Sequence, residues 1–339
     1  MVSAVTFVVL AIALVAIPVP FVTWSPGRPR DTLGMVDAKP MIEVQGIQAH
    51  PTSGRLDLTV VEVTPAGTRL SLPQALAAHW LPNRDALPLD AVYAPGKTVE
   101  EVQAEETDMM STAQDDAVVA ALRADGQPVS TLPAVASVTV GGPAHTRLLP
   151  GDLVLSVDGV LTPNEPDVGR QIRTHKPGDI VEFRVVRQRV ETTVRVPTTE
   201  SSAPGGATVV GITLGPGYRY QPRISFELGR RIGGPSAGLI FALAIYDKIT
   251  PGELLAGRHV AGTGSITADG KVGRIGAIQQ KIAGAENAGA TVFLVPAANC
   301  SDLGGIRTDM TLVKVASLAD AIGALESLQQ GADDRVPRC

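Results

Sequence analysis

From residue 237 to residue 245 the chain is apolar without a break, and Ala237, Leu239, Ile240, Phe241, Leu243 and Ile245 cover every direction around a helix axis. A helix that is apolar all round is buried on every side. The fold must therefore wrap further layers around it. Hydrophobic residues supply 44% of the chain but aromatic residues only 4%, so those layers are built from Val, Leu, Ile and Ala. The 339 residues are enough for two compact domains plus an appendage. Charged residues make up 19% and the net charge is −5. That balance lacks the clustered Lys and Arg that a nucleic-acid partner demands.

The entry to this helix is a small-residue turn, Gly233-Gly234-Pro235, followed by Ser236. Proline suits the first helical position, where its missing N–H costs nothing. Ser236 then lies in the first turn, among unpaired backbone N–H groups at the positive end of the helix, where a developing oxyanion would be stabilised. By itself the same turn equally suits Ser236 as a helix cap. A second segment, residues 276–289, tips the balance. At 100° per residue, Gln279, Gln280, Glu286 and Asn287 share one side. Lys281 falls on the other, central to a stripe of Ala277, Ile278, Ile282, Gly284, Ala285, Ala288 and Gly289. A lysine set among Ala and Gly has no long neighbours to carry it outward, and burial disfavours its charged form. A neutral amine can take the proton of a serine hydroxyl, so Ser236 and Lys281 are the candidate nucleophile and base.

Elsewhere the chain divides by composition. Residues 1–24 carry no charged side chain and come close to the roughly 20 residues of a membrane span. They read as an uncleaved anchor, since neither a basic start nor a small-residue cleavage site frames the run. Arg28 and Arg30 taken alone would place the body in the cytoplasm. The Pro- and Gly-rich stretch 25–40 reads as a linker. Residues 54–63 alternate at period two, as a half-buried strand does. Residues 71–80 and 115–124 have helical patterns.

From about residue 132 short strands alternate with turns. Gly142-Pro143-Ala144, then Pro150-Gly151-Asp152 through Val157-Asp158-Gly159, then Pro177-Gly178-Asp179 follow one another in order. This series resembles the PDZ domain over residues 125–198. The resemblance implies a groove that receives a peptide tail as an added strand, with residues 126–133 the candidate carboxylate-binding loop.

Pro235-Ser236-Ala237-Gly238, Thr263-Gly264-Ser265-Ile266-Thr267, and the run from Gly270 through Val272, Ile275 and Gly276 to Lys281 resemble the proteolytic domain of the Lon family over about residues 222–325. The resemblance implies Ser236 as nucleophile, Lys281 as general base and Thr263 as a supporting hydroxyl. The acidic residue that some members carry three positions before the serine is Gly233 here. The implied fold class is α+β. A Lon-type domain is split into residues 41–124 and 205–330 by the PDZ insert, behind an N-terminal transmembrane helix. The implied activity is ATP-independent cleavage of unfolded or flexible protein segments by a single-pass membrane protein, with its body outside the cytoplasm. A homo-oligomer is a family expectation. The rival reading is a membrane-tethered PDZ adaptor whose Lon-like domain is only structural.

No cofactor is implied. Pro95-Gly96-Lys97-Thr98 lacks the first glycine of a phosphate loop, Ala91 standing there, and reads as a turn before a Glu-rich helix. The five histidines have no metal spacing. Cys300 and Cys339 would pair only outside the cytoplasm, and their separation leaves the question open.

Overall fold

The computed structural model describes residues 2–16, 18–65, 67–203, 205–229 and 233–339. It divides into two compact units, 1–127 with 222–339, and 128–221. The second unit is thus inserted between the two segments of the first.

The first stretch of the chain contains α1 (Val2–Ala16), β1 (Phe21–Pro26), β2 (Arg30–Asp31), β3 (Ile42–Gln45), β4 (Arg55–Leu58), β5 (Val61–Val63), α2 (Leu72–Trp80), β6 (Asp85–Pro88) and α3 (Val99–Ala124). Ser71 and Gln74 form a capping box at the start of α2, and Thr98 and Glu101 form one at the start of α3. Thr98 is therefore the cap of a Glu-rich helix.

The insert contains β7 (Ser130–Val138), β8 (Leu153–Val157), α4 (Glu165–Ile172), β9 (Ile180–Arg187), β10 (Val190–Pro197) and β11 (Ile212–Arg219). They form one antiparallel sheet in the order β10-β9-β8-β7-β11. Val154, Val157, Phe183, Val185 and Val196 meet Val168 and Ile172 of α4 in its core. Asp152, in the Pro-Gly-Asp turn, is buried because it accepts two bonds from Arg187 and one from Leu149 N.

The chain returns through β12 (Arg223–Phe226), a 3₁₀ turn (Pro235–Ala237), α5 (Gly238–Ile249), β13 (His259–Gly262), α6 (Ile278–Asn287), β14 (Val292–Pro296), β15 (Thr311–Val315) and α7 (Leu318–Gln329). The main sheet of this unit runs β15-β14-β13-β4-β2, with β4, β13, β14 and β15 parallel and β2 antiparallel at the edge. Parallel strands covered on both faces read as continuous apolar runs, and every residue of β14 is buried. Ala261, Phe293 and Val295 pack against Ile278, Ile282 and Ala285 of α6. On the opposite face Gly262 lies against Ile240 of α5, where a Cβ would come within 2.9 Å of Ile240 Cδ1. The expected α+β class holds in coarser form, a mixed α/β unit with helices on both faces and a β-rich insert.

Several boundaries differ from expectation. The apolar N-terminal run does not continue as helix to Trp24. Helix α1 has 15 residues, and no described helix is long and apolar enough to cross a membrane. Pro18 and Pro20 cannot donate to a continuing helix. The residues after them form β1 instead, paired with β5 and β6 and with Val22 in the core. Ile17 lies outside the described residues. The stretch 25–40 is structured rather than a linker: Gly27 N donates to Val60 O, Arg30–Asp31 pairs with β4, and the buried Thr32 hydroxyl donates to Leu56 O. The strand read over 54–63 is two strands, broken at Thr59 and Val60. Residues 205–221, expected to open the catalytic part, belong to the insert, because β11 pairs along its whole length with β7. Residues 126–133 are not the open loop proposed for the insert, since Ser130 to Pro133 are already paired with Gly217 and its neighbours up to Arg219 and on to Pro216.

Candidate active site

The site lies just past the C-terminal ends of two neighbouring parallel strands, β4 and β13, which are in register with Leu58 opposite Gly262. Ligands in α/β sheets gather at this end of the strands. Thr59 follows β4 and Thr263 follows β13. Helix α5 and its preceding turn bring Ser236 from one face, and α6 brings Lys281 from the other. Sequence reading proposed Ser236, Lys281 and Thr263, and all three meet here across as many as 45 residues.

Lys281 Nζ lies 2.9 Å from Ser236 Oγ, 3.1 Å from Thr263 Oγ1 and 3.1 Å from Thr59 O. Thr263 Oγ1 donates its own proton to Ser236 O at 3.0 Å, so toward the lysine it can only accept. Thr59 O is a carbonyl and also only accepts. A neutral amine has two N–H bonds and one lone pair. With both N–H bonds committed to Thr59 O and Thr263 Oγ1, the lone pair is left for the Ser236 hydroxyl. Lys281 is only 4% exposed, and burial alone pulls its pKa down to about 8.

The Ser236 turn is held from several sides. Gly264 N donates to Ser236 O, and Leu239 N donates to Gly264 O. Gly234 takes a left-handed φ of 81° at the head of the turn, and among the described residues no side chain caps the turn. The leading N–H groups of a helical turn have no partner within the helix. Gly238 is required by a close approach, since a Cβ there would sit 2.9 Å from Ile266 Cγ2 and 3.1 Å from Ile266 N.

Thr59 is the contributor that pattern reading missed. It acts through its main-chain carbonyl, while its hydroxyl donates to Gly262 O at 2.9 Å, tying the two strand ends together. A main-chain acceptor leaves no residue-type signal to find. Gly284, one turn beyond Lys281, lets α6 touch the chain at Gly27: a Cβ there would lie 2.7 Å from Gly27 O. Among the described residues no group of three or more His, Cys, Asp or Glu is placed to hold a metal. His259 pairs with the buried Asp57 and His175 with Asp158.

Residues 231–325, which contain this constellation from Ser236 to Lys281, match the Lon protease (S16) C-terminal proteolytic domain. The chain carries a Lon-type proteolytic domain. Residues 106–198 match the PDZ domain. That match begins inside α3, which packs in the proteolytic unit, and stops before β11. Lon protease 1 of Bacillus subtilis is 31% identical over 188 residues, covering 54% of this chain and 22% of that protein. Lon protease of Roseiflexus castenholzii is 44% identical over 70 residues, covering 21% and 8%. The chain thus spans under a quarter of the length of these curated relatives, which support a serine peptidase in general terms. Among solved structures, the PDZ domain of the SdrC-like protein Lmo2051 from Listeria monocytogenes is 26% identical. The likeness covers 24% of this chain and 86% of that one, with a TM-score of 0.23.

Outside this site, Cys300 and Cys339 form a disulfide with Cα atoms 5.2 Å apart. It ties the C-terminal tail to the 3₁₀ turn Ala297–Asp302. The tail bridges β15, the edge strand, through Val313 opposite Arg338 and Lys314 N to Pro337 O.

Proposed function

We propose that this chain is a serine endopeptidase in which neutral Lys281 deprotonates Ser236 for attack on a peptide carbonyl. The observation that carries the reading is the Lys281 amine, with two acceptors claiming its N–H bonds and its third direction on Ser236 Oγ. Attack forms a tetrahedral oxyanion, for which the N–H groups of the first turn around Ser236 are the nearest donors. Protonated Lys281 then gives its proton to the leaving amine. Water, deprotonated by the same amine, hydrolyses the acyl-enzyme. Thr263 keeps the lysine aimed and braces the Ser236 backbone. The reaction needs no nucleotide, and the proteolytic unit works on flexible segments that enter unaided.

The PDZ unit recruits substrate or regulates the peptidase by taking a peptide along β11. This strand ends its sheet among the described residues, and α4 packs beside it. Added strands use the edge of a sheet. Helix α1, uncharged and with Val2, Val5, Phe7 and Ile12 exposed, tethers the protein to a membrane. The Cys300–Cys339 disulfide supports a body outside the cytoplasm, since such bonds persist in oxidising compartments.

The decisive experiment is cleavage of an unstructured peptide by wild type, Ser236→Ala and Lys281→Ala, with mass spectrometry of the acyl adduct. The expected outcome is loss of turnover in both variants and an adduct on Ser236 alone. Equal behaviour of all three proteins would sink the catalytic reading and leave a PDZ adaptor.

A further inference from the structure

Helix α3 runs past the nucleophile turn and places one carboxylate against it. Gly233, three residues before Ser236, has no side chain, and the space beside it is taken by Glu106. A Cβ on residue 233 would lie 3.1 Å from Glu106 Oε2 and 3.2 Å from Glu106 Cβ. The main chains meet as well, with Gly234 N donating to Glu106 O at 3.4 Å. Three residues of chain span at most about 11 Å. The carboxylate is therefore within the reach of one or two substrate residues from the scissile bond.

Among the described residues no neighbour takes up the charge of Glu106. Glu105, the preceding residue, is neutralised by Lys97, which binds both its carboxylate oxygens. Glu106 is exposed and has no ion pair among the described residues. Its charge also acts on Tyr93, whose pKa is raised chiefly by burial and then by Glu106. Three positions along the same helix, hence beside Glu106 on its surface, Met109 is 43% exposed. An exposed thioether next to an exposed carboxylate suits a long aliphatic stem carrying a cation.

We propose that Glu106 is a specificity-determining residue that receives a Lys or Arg side chain of the substrate close to the scissile bond, its stem lying over Met109. This rests on the peptidase reading above. At an exposed carboxylate each charge pair is modest, but attraction of Lys and repulsion of Glu both push the Lys-to-Glu ratio the same way. A Lys-to-Glu preference in kcat/KM of about tenfold is expected from the two effects together.

The test uses the full chain and fluorogenic peptides identical except for Lys, Gln or Glu at each of the two positions on either side of the cleaved bond. Wild type is expected to favour Lys over Glu at one position by about tenfold. Glu106→Gln should bring that ratio to within about twofold, and Glu106→Lys should invert it. Glu105→Gln, which removes a carboxylate already held by Lys97, should keep the wild-type ratio. A wild type without preference, or a Glu106→Gln that lowers all peptides by one common factor, would overturn the proposal. The second result would mean that Glu106 only braces the turn. Ser236→Ala run in parallel reports on the peptidase reading separately, because its activity does not depend on which peptide is favoured. Glu106 is on the surface, so both variants should keep the wild-type thermal melt.

Discussion

Replacing the buried lysine should make the protein inactive and, near neutral pH, relatively more stable. Lys281 ionises at about 8 in the folded chain against an ordinary value of 10.5. Because the folded pKa is depressed, the folded state binds fewer protons than the unfolded one between these values. Stability is then greatest above 10.5 and falls as the pH drops toward 8, with no further loss below. The difference of 2.5 pKa units corresponds to about 3 kcal/mol of penalty at pH 7 and under about 1 kcal/mol at pH 10. Lys281→Met keeps the volume and removes the penalty, but it strands Thr59 O without its donor, at about 1–3 kcal/mol at every pH. The offset shifts the level and leaves the slope untouched. Relative to wild type, the variant should therefore gain about 2–3 kcal/mol on going from pH 10 to pH 7. Urea denaturation of both proteins at the two pH values, with the disulfide intact, measures this. A stability difference that does not change with pH would refute the account of Lys281 as a desolvated amine.

Other expectations follow from the same geometry. Peptidase turnover should rise with pH through about 8, as Lys281 loses its proton, and a pH–rate profile on an uncharged peptide reads the midpoint. Gly284→Ala must push α6 away from Gly27 O, from 2.7 Å toward ordinary contact. The shift carries Lys281 with it, and turnover should fall by roughly ten- to a hundredfold. Melting should register a loss of about 1–3 kcal/mol. Thr263→Val removes both the acceptor for Lys281 and the donor to Ser236 O; kcat should drop by about ten- to a hundredfold with little change in KM. Opening the Cys300–Cys339 bridge, which closes a loop of sequence separation 39, should lower unfolding stability by about 4 kcal/mol in denaturant titrations with and without reductant.

The parts of this architecture that were legible in the chain are those in which one residue type answers to one environment. The unbroken apolar run after Ser236 demanded burial, and α5 has Leu239, Ile240, Phe241 and Leu243 with no exposed surface. Lysine among Ala and Gly demanded a reason, and it sits on the serine. The extent of the N-terminal apolar helix was misread for a physical cause. Apolar residues suit a lipid-facing helix and a core strand alike, and only the pairing of Phe21–Pro26 with its neighbours separates the two. The stretch 25–40 misled because glycines and prolines mark loops, whereas here Pro26 and Gly27 supply the smooth surface that α6 needs at Gly284.

By itself, then, the sequence determined the ordered turns of the PDZ segment, the buried helix behind the serine and the spacing that singled out Ser236, Lys281 and Thr263 as candidates. Each of these is written in local spacing or in burial that side-chain type reports. The tertiary structure alone decided the Thr59 carbonyl that claims one lysine N–H, the approach of Gly284 to Gly27, the carboxylate of Glu106 beside Gly233 and the pairing of Cys300 with Cys339. Every residue except proline carries the same main-chain donor and acceptor, and no periodicity links positions 222 residues apart. Such contacts exist only once the chain has closed around its sheet.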